Sequence, residues 1–157
     1  MLVVADTTPL NYLLLIGHVE VLPALYSRVL IPQAVYMELQ RPGTPSVVRE
    51  WAIDPPSWIE VCLVSLGQNP TLDDLDTGER QAIQLALDSG IETVLMDESE
   101  GRRAALHHQL KVTGTIAILE KAAQLGLIDF RSALTRLEQT NFRLSAAIRD
   151  EFLKRNP

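Results

Sequence analysis

Four acidic residues stand out by position: Asp6, Glu38, Glu79 and Asp97. Asp6 follows the apolar run Leu2-Val3-Val4-Ala5, and Asp97 follows Thr93-Val94-Leu95-Met96. Both runs are of strand type, so both acids fall at strand ends. Glu38 stands beside Leu39 and three residues after Val35, near the apolar side of a helix. Glu79 completes Asp76-Thr77-Gly78-Glu79 at the opening of another helix. Brought together, the four would offer hard oxygen ligands with no need of Cys or His. Such a set suits Mg²⁺ or Mn²⁺. Without a metal, crowded carboxylates repel and raise one another's pKa. With one or two metals, the same cluster can activate water and stabilise a phosphodiester under in-line attack.

Each acid alone has a plainer explanation. Asp is common after strands as a turn former or cap. Glu38 could be an ordinary charge at the edge of an amphipathic face. Asp76 and Glu79 have capping-box spacing, which alone could explain Glu79. Two Asp residues at equivalent ends of one parallel sheet are harder to dismiss. Thr7 and Thr8 follow Asp6, and a hydroxyl there could support its carboxylate or a water at the site. Thr8-Pro9 also reads as a helix cap with Pro at the first helical position. His107 and His108 are adjacent on a helix, unlike an i,i+4 metal pair, and His18 lies beside a loop glycine.

The elements that must position these acids are legible in the periodicity. Leu72 to Ile128 reads as helix, strand, helix, short strand, helix. Ala82, Ile83, Leu85 and Ala86 form one helical stripe, and Gly90 supplies a left-handed stop. In the next helix Ala104, Ala105 and Leu106 are expected inward, with Arg102 and Arg103 outward. Thr115 is expected to cap the helix after that. Upstream, strands are expected at Leu2–Ala5, Val29–Ile31 and Trp58–Val64. Helices are expected from Thr8, from Pro32 with Glu38 on it, and over 47–53. Gly67-Gln68-Asn69-Pro70 reads as a loop. Alternation of strand and helix predicts an α/β fold, a parallel sheet with helices on both faces. In such sheets ligands sit beyond the carboxyl ends of the strands. The chain, 1–157, reads as a single domain, with C-terminal helices at about 129–155 packed on it or extending it.

Composition narrows the classes. The 157 residues suffice for one full core. A lone Cys62 excludes a disulfide framework and a thiolate metal cluster, and fits a reducing cytoplasm. Asp6 interrupts the early apolar residues and no basic segment precedes them, so neither a signal peptide nor a membrane span is expected. A net charge of −6 argues against a broad nucleic-acid-coating surface. It leaves room for an acidic site neutralised by metal.

Three stretches together resemble the PIN-domain family: VVADTTPLNYLLLIG, IPQAVYMEL, and LDTGERQAIQLAL followed by TVLMDESEGRRAA. The later segments VTGTIAILEKAAQLGLI and FRLSAAIRDEFL look like a prokaryotic subgroup near the VapC-type toxins of toxin–antitoxin pairs. The resemblance covers nearly the whole chain. It implies a Mg²⁺- or Mn²⁺-dependent ribonuclease acting on RNA phosphodiesters. It places Asp6, Glu38, Glu79 and Asp97 at the family's acidic positions. Many relatives carry a further Asp after the last of these, where this chain has Glu98 and Glu100 as longer-armed substitutes. The resemblance also implies a small antitoxin partner and a homodimer. An apolar surplus over Leu10–Leu25 supports the dimer. Arg41, Arg102, Arg103 and Lys111 are the candidates for a local RNA-holding patch.

A haloacid-dehalogenase phosphatase needs a second Asp two residues after the first, and Thr8 stands there. A receiver domain wants an acidic pair near strand one, and Asp6 has no acidic neighbour. The serious alternative is a catalytically weak or inactive PIN-like binding module, acting through protein or RNA interaction.

Overall fold

The computed structural model describes residues 1–65 and 69–157. Five strands form one all-parallel sheet: β1 (Leu2–Ala5), β2 (Arg28–Pro32), β3 (Ile59–Cys62), β4 (Thr93–Leu95) and β5 (Lys111–Thr113). Their order is β3-β2-β1-β4-β5. The chain builds outward from β1 on one side, then crosses to β4 and builds outward on the other. That reversal leaves a crevice between the carboxyl ends of β1 and β4, where open α/β sheets bind ligands. Asp6 and Asp97 lie just beyond those two ends, and the Asp6 N–H donates to the Leu95 carbonyl at 2.9 Å.

The central strands are apolar on both sides because both faces are covered. Val3, Ala5, Val29, Ile31 and Leu95 face one core. It is filled from α1 (Thr7–Leu15), α2 (Val21–Leu25), α3 (Gln33–Glu38), α4 (Ser46–Ile53), α7 (Thr115–Gln124) and α8 (Phe130–Glu138). Val4, Leu30, Val94 and Met96 face the other, filled from α5 (Thr77–Ser89) and α6 (Ser99–His107). The terminal helix α9 (Ala146–Arg155) lies on the first layer. Phe152 stacks on Phe130 at 6.3 Å, and Arg155 pairs with Glu120 on α7 at 3.1 Å.

Several local expectations are corrected. α1 begins at Thr7, with Asp6 in the cap position, so Thr8 is the second helical residue and no cap. Pro9 is tolerated there because the first helical N–H groups have no intrahelical acceptor. Thr115 opens α7 without capping it; Gly114 holds that position. Leu106 is exposed, while Arg102 is folded inward to the Met96 carbonyl at 3.5 Å. The apolar stretch Leu10–Leu25 carries no surplus: Leu10, Leu13, Leu14, Ile16, Val19, Val21 and Leu22 are all buried within the single chain. Of the expected loop at 67–70, Gly67 and Gln68 lie outside the described residues, and Pro70–Leu72 forms a short 3₁₀ turn. Among the described residues no helix is long and apolar enough to cross a membrane.

Candidate active site

Asp6 is set by the end of β1 and the abrupt entry into α1. Its side chain caps nothing and is only 4 % exposed. Burial pushes its pKa up to about 8, opposed by a hydrogen bond from the Thr7 N–H and reinforced by repulsion from Asp76, Glu79 and Glu38. Glu38 is the last residue of α3, where the helix delivers its carboxylate beside α1. Thr7 Oγ1 donates to Glu38 Oε2 at 2.9 Å. Thr8 Oγ1 makes a longer contact, 3.4 Å, to Glu98 Oε1.

Another wall of the cleft is the N-terminus of α5. Asp76 Oδ1 accepts from the Glu79 N–H at 2.8 Å, so the capping half expected from the sequence is made. The reciprocal half is not. Glu79 is 5 % exposed, and its Oε2 has no hydrogen-bond partner. A buried, unpaired carboxylate oxygen is costly and calls for an explanation. Burial, then the Asp76 charge, pushes the Glu79 pKa up to about 7.

Gly78 shows how tightly these groups converge. A Cβ placed on it would lie 3.1 Å from Glu38 Oε2, 3.3 Å from Asp6 Oδ1 and 3.6 Å from Asp76 Oδ1. Three carboxylates from three elements therefore crowd one backbone position, where a side chain would press on two of them. The cleft they enclose measures about 360 Å³, and Glu98, Ser99 and Glu100 close its outer wall.

Asp97 is placed differently. Its Oδ1 accepts from the Thr115 N–H at 2.9 Å and its Oδ2 from the Thr115 hydroxyl at 2.6 Å. It stands in for the cap that Gly114 cannot supply. Burial raises its pKa, offset by the two Thr115 bonds and by Arg102. It is not among the residues lining the cleft.

A family model described as PIN domain matches residues 2–156. The chain belongs to the PIN-domain family. No curated protein and no solved structure matches it. PIN domains are generally nucleases that use divalent metals, so this is a nuclease-type fold.

The donor set of this PIN domain fits such an ion in kind: carboxylate oxygens only, two of them on acids that burial holds toward the neutral form. Glu79 Oε2 is an orphan that a cation would satisfy. Among the described residues, no three His, Cys, Asp or Glu side chains already stand as a closed ligand set. Sequence reasoning passed over Asp76 as a site residue, crediting it only as a cap. Its signal was the cap itself, since a capping carboxylate spends one oxygen on the helix and has another to offer. Ser99 gave no signal at all.

Proposed function

We propose that the chain is a Mg²⁺- or Mn²⁺-dependent endoribonuclease of the PIN type. The observation that carries this reading is the convergence of Asp6, Glu38 and Asp76 around Gly78, with the unpaired Glu79 Oε2 beside them. Asp6, Glu38 and Glu79 would hold the ion, with Asp76 at its margin. Asp97 completes the acid set at the end of β4 and acts through Thr115 as a positioning residue. When bound, a divalent cation supplies the positive charge that stabilises a phosphodiester under attack and eases deprotonation of water. Thr7 fixes the rotamer of Glu38 by its hydrogen bond. Burial of Asp6 and Glu79 keeps bulk water from screening their charges. Glu98 and Glu100 line the outer wall, where longer arms reach farther into the cleft.

The test is cleavage of a mixed RNA pool by protein shown by mass spectrometry to carry no bound partner. Cleavage with Mg²⁺ or Mn²⁺ that EDTA abolishes is expected. Cleavage that survives EDTA, or none with either metal, overturns the reading. The absence of a closed ligand set among the described residues favours a second reading, an inactive PIN-like binding module. Calorimetric titration with Mn²⁺ separates the two, since a pure scaffold takes up no ion.

A small antitoxin partner, a homodimer and a cytoplasmic setting complete the proposal. They rest on the likeness to VapC-type toxins. Val61 and Leu63, exposed at and just beyond the open edge strand β3, are apolar surface that a partner could cover.

A further inference from the structure

The four basic side chains singled out as RNA contacts meet different fates. Arg102 is turned to the Met96 carbonyl and stands beside Asp97. Lys111 pairs with Glu92 at 3.7 Å. Arg103 is exposed on α6 and borders neither of the cavities at the acidic site. Arg41 lines a second cavity of about 500 Å³ together with Gln33, Met37, Thr77 and Gln81. This cavity shares Glu38 and Asp76 with the acidic cleft, so the two adjoin. Among the described residues, Arg41 is the one cationic side chain lining either, and no ion pair engages it.

Its backbone is fixed. The Arg41 N–H donates to the Glu38 carbonyl at 3.2 Å, and the Arg41 carbonyl accepts from the Thr44 N–H at 3.1 Å. One tight turn thus links the guanidinium-bearing residue to the residue that delivers a carboxylate to the cleft. A guanidinium presents paired donors that match a phosphate. Met37 is 59 % exposed on the same wall, and a thioether rests favourably against an aromatic ring. Gln81 Oε1 already accepts from the Ala34 N–H at 3.1 Å, which fixes its amide and leaves the NH₂ group to donate. A cation for phosphate, an apolar surface for a base face and an oriented amide form a nucleotide-binding combination. In a duplex the base faces are stacked and out of reach, so the fit is to a single strand.

We propose that this groove seats the nucleotide next to the scissile phosphate of single-stranded RNA, with Arg41 on its phosphate and Met37 against its base, an assignment that rests on the ribonuclease reading of the adjoining cleft. The experiment is fluorescence anisotropy with a short fluorescein-labelled single-stranded RNA. The full chain carries Asp6→Asn so that the probe is not cut. Adding Arg41→Ala should raise Kd about tenfold at low salt and lower the salt slope by about one. Met37→Ala should raise Kd about threefold with the slope unchanged. Arg131→Ala removes the same charge from α8 and should change neither. Binding of the matched RNA duplex should be indifferent to Arg41→Ala. An unchanged Kd in Arg41→Ala, an equal loss in Arg131→Ala, or no binding of the single strand overturns the assignment. Arg41-dependent binding by a wild-type chain that never cuts RNA upholds the groove and overturns the nuclease reading. Metal-dependent cutting with binding indifferent to Arg41 does the reverse.

Discussion

Thr115 holds both carboxylate oxygens of Asp97, one through its backbone N–H and one through its hydroxyl. The acid at the end of β4 is therefore tied to the first residue of α7 before any ion is considered. Asp97→Asn leaves one oxygen for two donors, and Thr115→Val removes one of the donors. Each should cost about 1 kcal/mol, and the double variant less than both together because they share one interaction. Mn²⁺ affinity separates positioning from ligation. Asp97→Asn should weaken it no more than Thr115→Val does. A much larger loss for Asp97→Asn would make Asp97 a direct ligand.

The buried acids set a pH dependence. The Asp6 pKa is about 8 in the folded chain against an ordinary 3.8, and that of Glu79 about 7 against 4.5. Between those limits the folded state holds more protons than the unfolded state. Stability of the metal-free protein should therefore fall as pH rises from about 4 to about 8. Urea midpoints in EDTA across that range measure it. Asp6→Asn should flatten much of the slope, stabilise the metal-free chain near neutral pH and abolish cleavage. Because a cation needs the ionised acids, stabilisation by Mn²⁺ should grow over the same pH range. A midpoint that rises with pH in EDTA would contradict both buried-acid assignments.

The sheet was legible because its strands are apolar on both sides and end on polar residues, a signal read one segment at a time. Gly90 as a helix stop was equally local, and it is observed in the left-handed conformation. What a segment cannot report is which donor a carboxylate meets. Asp6 and Asp97 look alike after their strands, yet one meets only the N–H of its neighbour Thr7 at a helix entry and the other is claimed by Thr115, eighteen residues on. Asp76 was hidden by being explicable as a cap. The burial of Leu10–Leu25 depends on α7 and α8 folding back over α1 and α2, which no window of that stretch contains.

Glu79 and Asp76 divide a role that the sequence assigned to a reciprocal box. The cap is made by Asp76 Oδ1, while Glu79 Oε2 is unpaired. Asp76→Ala should cost about 1 kcal/mol through loss of the cap. Glu79→Gln should keep the melting temperature or raise it in EDTA, because a buried repulsion is removed. It should also lose Mn²⁺ affinity and cleavage, because a strong oxygen ligand becomes a neutral amide. An active Glu79→Gln would remove Glu79 from the site.

Gly78 and Gly101 flank the acids from opposite helices, and alanine at each should act differently. At Gly78 the new methyl would meet only carboxylate oxygens, none closer than 3.1 Å. Those side chains can yield by a few tenths of an ångström, and Ala is at least as good a helix former as Gly. Gly78→Ala should therefore keep its melting temperature while Mn²⁺ affinity and cleavage fall, since Glu38 and Asp6 are the groups displaced. At Gly101 the methyl would stand 2.6 Å from Met96 Sδ and 2.7 Å from Glu79 Oε2. Met96 is a fully buried core side chain that must shift to admit the methyl, so Gly101→Ala should cost about 1–3 kcal/mol as well as activity. Thermal melts beside Mn²⁺ titrations of the two variants distinguish the cases. If Gly78→Ala binds Mn²⁺ and cuts RNA like the parent chain, the carboxylates around it are not the ones that hold the ion.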